Sequence, residues 1–151
     1  MSLFDQINDD IKKAMLAKEK EKLEALRSIK AAFLVAKTEK GASDVLSEDA
    51  EIKIIQKLVK QRKDSADVYK ANNREELYAK EVAEALVIEQ YLPAQLSDEQ
   101  IANEIKTIIS EVGAKGAQDL GKVMGVASKK LSGKAEGKLI AQKVKDMLAG
   151  L

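Results

Sequence analysis

Lysines in the C-terminal third of the chain have the types and spacing to bind phosphate groups. From Lys115 to the C-terminus, 8 lysines are set against 3 acidic residues, a net charge of +5. Ammonium groups can follow a nucleic-acid backbone without reading its bases. The alternative interpretation is a solvated lysine surface that keeps a helical protein soluble. The candidate RNA-binding residues are Lys122, Lys129, Lys130, Lys134, Lys138 and Lys145. Three of them, Lys134, Lys138 and Lys145, are predicted to share one side of the last helix.

Glycines accompany these lysines. Gly121 and Gly125 lie four residues apart on a predicted helix, where each costs about 1 kcal/mol relative to alanine. Close approach of a neighbouring helix would explain them, and this is the favoured interpretation; close approach of a ligand backbone is the other. Gly133 and Gly137, around the next turn, complete the candidate close-approach positions.

Other charged groups are weaker candidates. A second basic group on a long helix is interspersed with acidic residues, and it is kept as an alternative surface only. Its members are Lys53, Lys57, Lys60, Arg62 and Lys63. Most of the paired carboxylates that could hold Mg²⁺ or act as acid and base are better explained as first-turn or exposed residues. These pairs are Asp5/Asp9, Asp64/Asp67 and Glu81/Glu84.

Catalytic machinery is not visible in the sequence. The 151 residues include no cysteine and no histidine, which excludes a thiol nucleophile, an imidazole base and the usual zinc ligands. Phosphate-binding glycine loops and a Gly-x-Ser-x-Gly elbow are absent as well. No catalytic residue, cofactor or metal site is therefore predicted. The tail has no aromatic residue for base stacking, so contacts with backbone and shape are expected.

The elements that must position these residues are all predicted to be helices. Apolar residues recur at helical steps throughout, and only five aromatics are present, which favours helix-on-helix packing. Pro93, the only proline, ends a helix at or before Leu92. The fold class is thus all-α: a long-helix bundle of hairpins at residues 1–92, a proline hinge at 93–96, and a small three-helix domain at 97–151.

Helix boundaries follow from capping residues. Ser2, Ser47 and Ser97 are predicted to begin helices, the last with Gln100 in a capping box. Asn73, with Glu76, is predicted to begin another. Gly41 is a plausible stop for the second helix.

Membrane and targeting signals are not found. No apolar run approaches the ~20 residues that span a bilayer, and the N-terminus turns acidic at once. A cytoplasmic location is therefore predicted, with no membrane partner and no DNA partner.

Motifs spread over nearly the whole chain resemble the YqeY-like family, also called the GatB/YqeY domain. They are Leu26–Ala32, Glu89–Ser97, Gly121–Gly125 and Gly133–Lys138, together with the opening 2–18. Glu136 departs from the pattern, since the family more usually has aspartate there. The family is similar to the C-terminal tail of the B subunit of tRNA-dependent amidotransferases. That resemblance implies two helical parts and a tail that helps to hold tRNA.

Function is expected to be binding rather than catalysis. The first hypothesis is a non-catalytic module that binds structured RNA, above all tRNA, through the C-terminal lysines. The alternative is a protein-interaction adaptor that docks on an amidotransferase or a synthetase. The family is often labelled with carbon-nitrogen ligase activity that uses glutamine as the amido donor. This label is interpreted as inherited from the multidomain relative, because the catalytic constellations of that enzyme are missing here.

Overall fold

The structure, a computed structural model, describes residues 2–39 and 45–151 and is all-helical there, which confirms the predicted all-α class. Within the described residues there are seven α-helices, one 3-10 turn at Ala117–Asp119, and no strand. The helices are α1 Leu3–Leu16, α2 Lys20–Glu39, α3 Glu48–Ala71, α4 Glu75–Glu89, α5 Asp98–Val112, α6 Leu120–Lys130 and α7 Gly137–Ala149. None of the described helices is long and apolar enough to cross a bilayer.

The chain divides into two compact units, one ending at Leu92 and the other beginning at Pro93. The first contains α1 to α4 and the second contains α5 to α7. Each unit has its own apolar core, so each is described by itself below. Whether residues 93–96 act as a hinge stays a prediction.

Serine side chains begin three of the helices, as the sequence predicts. The hydroxyl oxygens of Ser2 and Ser47 each accept a hydrogen bond of 3.2 Å, from the amides of Asp5 and Ala50. Ser97 accepts one from Gln100 at 3.2 Å, and the Gln100 side chain accepts the Ser97 amide at 2.9 Å. This is the predicted capping box, and it satisfies amides that lack a partner within the helix.

The predicted start of α4 at Asn73 is wrong. The helix begins at Glu75, and Arg74 occupies the capping position without a side-chain hydrogen bond. Asn73 instead has φ 58° and turns the chain between α3 and α4. Asparagine tolerates this left-handed conformation better than most residues, which explains its place in the turn. The predicted stop at Gly41 lies outside the described residues.

The core of the first unit is built around Phe33, which is fully buried. Apolar residues of α1, α2, α3 and α4 pack around it, including Ile7, Ile29, Ile55 and Ile88. A buried carboxylate borders this core: Glu51 of α3 is 4% exposed and accepts the amide of Phe4 at 3.0 Å. Glu51 thereby pairs an amide at the start of α1 that has no helical partner, 47 residues away in sequence.

The core of the second unit is aliphatic. The apolar stripe of α5 packs against α6 and α7, and Val123, Ala127 and Val144 are fully buried. Gly113 ends α5 with φ 68°, a left-handed conformation that favours glycine. These contacts fix which sides of α6 and α7 face solvent.

The segment after Pro93 is bonded to the turn between α6 and α7. The side-chain Nε2 of Gln95 donates a hydrogen bond of 2.7 Å to the carbonyl of Gly133 and one of 2.8 Å to the carbonyl of Pro93. The amide of Leu96 donates to the carbonyl of Lys134 at 2.9 Å. Parts of two motifs that carry the family resemblance, Glu89–Ser97 and Gly133–Lys138, are therefore hydrogen-bonded to each other within the second unit.

Candidate nucleic-acid interface

The side of α6 that faces away from the core carries two of the candidate lysines. Val123 and Ala127 point into the core, so the opposite side of this helix is turned outward. Lys122 and Lys129, seven residues apart, both lie on that outward side and are exposed. Two turns of helix separate them, about 10 Å along the axis at 1.5 Å per residue.

Gly121 and Gly125 lie on the same outward side, and the packing explanation for them is wrong. A Cβ atom added at either position would meet nothing within 4 Å. No described helix therefore approaches them closely. Together with Lys122, Val126, Lys129 and Lys130 they form an open surface on α6. Close approach of a ligand, the second interpretation of these glycines, is the one left open.

The other two candidate glycines differ from each other. Gly133 has φ 77° in the turn before α7, a conformation that favours glycine for backbone reasons alone. Gly137 begins α7, and a Cβ there would meet nothing within 4 Å. The carbonyl of Gly133 accepts a hydrogen bond from the Gln95 side chain.

The prediction that Lys134 shares one side of the last helix is wrong. Because α7 begins only at Gly137, Lys134 lies in the preceding turn. Its amide donates to the carbonyl of Leu131 at 3.0 Å, and its own carbonyl accepts the amide of Leu96. The backbone of Lys134 is thus held on both sides while its side chain is exposed. The chain turns at Gly133, with φ 77°, before α7 begins, so the periodicity of the lysines does not extend back to Lys134.

Lys138 and Lys145 do share one side of α7. They are seven residues apart, and both are exposed, whereas Ile140, Val144 and Leu148 form the buried side. The one acidic residue of this helix, Asp146, accepts a hydrogen bond from the Gln142 side chain at 2.9 Å.

Few carboxylates compete for the candidate lysines. Lys130 approaches Glu104 at 3.5 Å, with both side chains more than 40% exposed. Elsewhere in the part of the chain that the structure describes, no carboxylate oxygen lies within 4.0 Å of the remaining five candidates. The helices also divide by charge: α6 has three lysines and no acidic residue, whereas α5 has four acidic residues and one lysine. The cationic surface of this unit therefore belongs to α6, α7 and the turn between them.

The second basic group does not form one surface. Arg62 turns toward α4, where its Nε lies 3.0 Å from Glu84 and 3.9 Å from Glu81. Lys63 approaches Glu89 at 3.5 Å. Lys53, Lys57 and Lys60 remain exposed.

Glu81 and Glu84 are neither first-turn nor exposed residues, so the interpretation given to most of the carboxylate pairs does not fit this pair. Glu84 is 8% exposed, and burial raises its pKa although Arg62 opposes the rise. The sequence signal that could have shown this is Arg62, which interrupts the apolar seam of α3. A partly buried cation between two helices, here 26% exposed, is stabilised by a carboxylate on the facing helix. Glu51 lies in the first turn of α3, and its position in the sequence gives no sign of the long-range contact with α1.

The described ranges 2–39 and 45–151 contain no candidate metal site. No group of three or more carboxylate, imidazole or thiol side chains there could hold an ion.

Comparison with known proteins gives relatives in yeasts. The chain is 33% identical over 118 residues to "Altered inheritance of mitochondria protein 41, mitochondrial" of Saccharomyces cerevisiae strain YJM789, covering 74% of this chain and 61% of the relative. Proteins of the same name in Clavispora lusitaniae and Meyerozyma guilliermondii are 30% and 32% identical, over 77% and 82% of this chain. The matches cover 68% and 65% of those relatives. The match thus spans less than two thirds of the first relative's length.

These names contradict the predicted cytoplasmic location. All three relatives are named as mitochondrial proteins. The prediction depended on a missing signal pattern and a missing membrane span, and neither feature separates the cytoplasm from an organelle interior.

The family indicated by the sequence motifs is confirmed. The model of the family described as "Yqey-like protein" matches residues 4–148. Since this covers both units, from the first turn of α1 to the last turn of α7, the chain belongs to the YqeY-like protein family.

Proposed function

We propose that this protein is a non-catalytic helical module that binds structured RNA, with tRNA as the expected class. The observation that carries the proposal is the outward side of α6. Two exposed lysines lie there seven residues apart, beside two glycines whose surroundings are open. A phosphate backbone could approach such a helix closely while ammonium groups neutralise it.

Shape and charge favour RNA backbone over base reading. The residues of this open α6 surface are glycine, lysine and valine, and none of them has a planar side chain that could stack on a base. Lysine acts as a point charge, so it positions a backbone without specifying a sequence. Lys138 and Lys145 on α7 extend the cationic surface of the same unit.

The relation to tRNA-dependent amidotransferases supports the choice of tRNA. In those enzymes the similar tail helps to hold tRNA, and other domains carry the chemistry. A module that retains the tail would keep the binding role without amide transfer. The glutamine-dependent ligase label of the family would then describe the multidomain relative.

The test is equilibrium binding of purified tRNA to the full chain at fixed salt. Replacing Lys122 and Lys129 by alanine should weaken binding about tenfold or more, and by a similar factor for unrelated tRNA sequences. Lys106 is the matched control, because it is an exposed lysine on the acidic helix α5. Equal affinity of the double variant and the Lys106→Ala variant would contradict the proposal.

A further inference from the structure

An apolar groove lies between α2 and α3 of the first unit. Its volume is about 370 Å³, and it is open to solvent. Along α2 the lining residues extend from Ala31 to Glu39, about 12 Å or two helical turns. Its floor consists of Ala31, Ala32, Val35, Ala36, Ile54 and Leu58.

Residues 31–36 of α2 are apolar on every side of the helix, although only part of this segment is covered. Residues 31–36 are all apolar, and among them only Phe33 is buried. Leu34 and Val35 remain 46% and 56% exposed. A helix segment without a polar side is normally enclosed by other elements. Here the alanines leave room for another helix to approach α2 closely.

A row of lysines borders the groove on the α3 side. Lys53, Lys57 and Lys60 follow one another at steps of four and three, so they lie on one strip of the helix. Lys57 lines the groove itself. Among the described residues, no carboxylate oxygen lies within 4.0 Å of the three ammonium groups, although Asp49 and Asp64 stand at the two ends of the row.

We propose that this groove binds an amphipathic helix of a partner protein, with acidic residues along the flank that faces the lysine row. An apolar groove about two turns long fits the i, i+3/i+4, i+7 side chains of one helix. The lysine row supplies the charge that selects an acidic flank and a single orientation of the bound helix. A second copy of this chain fits less well, because a two-fold contact would bring two lysine-bordered surfaces together.

The proposal does not depend on RNA binding. The groove belongs to α2 and α3, whereas the lysines proposed to bind RNA belong to the second unit. A variant with a blocked groove should therefore bind tRNA as the wild type does, and loss of one activity can be distinguished from loss of the other.

The test uses a displayed library of amphipathic helices with a fixed apolar face and flanks randomised among Glu, Lys and Gln. Selection on the wild-type full chain should enrich glutamate on one flank. The most enriched peptide should bind Val35→Glu at least tenfold more weakly than wild type. Leu34→Glu is the matched control, because Leu34 is a neighbouring exposed residue that does not line the groove; its affinity should stay within about twofold of wild type.

Charge reversal tests the flank directly. Replacing Lys53, Lys57 and Lys60 together by glutamate should reverse the preference, so that lysine-flanked helices are enriched. No enrichment over the Val35→Glu variant, or enrichment of lysine flanks on wild type, would overturn the proposal. Two other results would also overturn the proposal: a wild-type dimer in sedimentation that is lost in the Val35→Glu variant, and wild-type binding to phosphatidylglycerol vesicles that is lost in that variant.

Discussion

The phenol oxygen of Tyr91 donates a hydrogen bond of 2.5 Å to Oδ2 of Asp10, which precedes it by 81 residues. This bond ties the segment after α4 to α1 at the end of the first unit. Burial, and then the contact with Asp10, raise the pKa of Tyr91 above its ordinary value of 10.0. Tyr91 belongs to the same motif, Glu89–Ser97, in which Ser97 starts α5.

Replacing Tyr91 by phenylalanine should lower the free energy of unfolding by about 1.5 kcal/mol, the lower end for a hydrogen bond to a charged group. Urea denaturation of the full chain measures this change. Tyr69→Phe is the matched control, since no hydrogen bond of the Tyr69 phenol is found among the described residues. Equal stability of the two variants would show that the contact with Asp10 contributes nothing.

The same pair predicts a dependence on alkaline pH. Because folding raises the pKa of Tyr91, the stabilisation from its protonated form is complete below the unfolded value near 10.0 and is lost as pH rises toward the folded value. The stability advantage of wild type over Tyr91→Phe should therefore shrink above that pH. An advantage that stays constant or grows would contradict this assignment.

Glu51 predicts a dependence on acidic pH. Burial raises its pKa above 4.5, although backbone hydrogen bonds from Phe4 and Leu3 and the charge of Lys37 oppose the rise. Glu51 is thus protonated more readily in the folded state than in the unfolded state. The stabilisation of the folded state by this proton is complete below pH 4.5 and is lost as pH rises through the pKa of Glu51 in the folded state. As pH falls from 7 to 4.5, the free energy of unfolding of wild type should rise relative to that of the Glu51→Gln variant. Parallel pH profiles would rule out this role.

The Arg62–Glu84 pair predicts a recovery by double replacement. Arg62→Met should lower the free energy of unfolding by about 3 kcal/mol, because it leaves the carboxylate of Glu84 buried without its cation. Adding Glu84→Leu should recover most of the loss, since a packed apolar pair avoids the desolvation of both charges. Thermal and urea unfolding of the single and double variants measure this. A double variant less stable than Arg62→Met would contradict the expectation.

Local signals in the sequence predicted the helix starts at Ser2, Ser47 and Ser97. Each depends on a hydroxyl and on amides two or three residues away, so no distant contact decides the outcome. Asn73 failed because two uses of asparagine compete locally, a cap and a left-handed turn, and the turn between α3 and α4 required the second.

Features set by distant contacts could not be predicted in this way. Glu51 pairs with α1 and Glu84 pairs with α3, and neither partner lies near in sequence. Lys134 was placed on α7 by periodicity alone, but the chain turns at Gly133 and bonds to Leu96 before that helix starts. The sequence predicts which lysines belong to the basic C-terminal part of the chain, but not which side of a helix or turn each of them lies on.

The glycines of α6 give a prediction that separates stability from binding. Gly125→Ala should raise the free energy of unfolding by up to about 1 kcal/mol, because the added methyl group enters open space on a helix. If an RNA backbone approaches this side, the same change should weaken tRNA binding. Greater stability with unchanged affinity would show that Gly125 is not a close-approach position.

The salt dependence of tRNA affinity tests the central claim most directly. The slope of log K against log salt should become less steep by about one for each lysine removed when Lys122, Lys129 and Lys138 are replaced by alanine. A control with Lys12, Lys20 and Lys106 replaced removes three exposed lysines outside the proposed surface and should keep the wild-type slope. Identical slopes for wild type and both triple variants would contradict the claim that this unit binds RNA through its lysines.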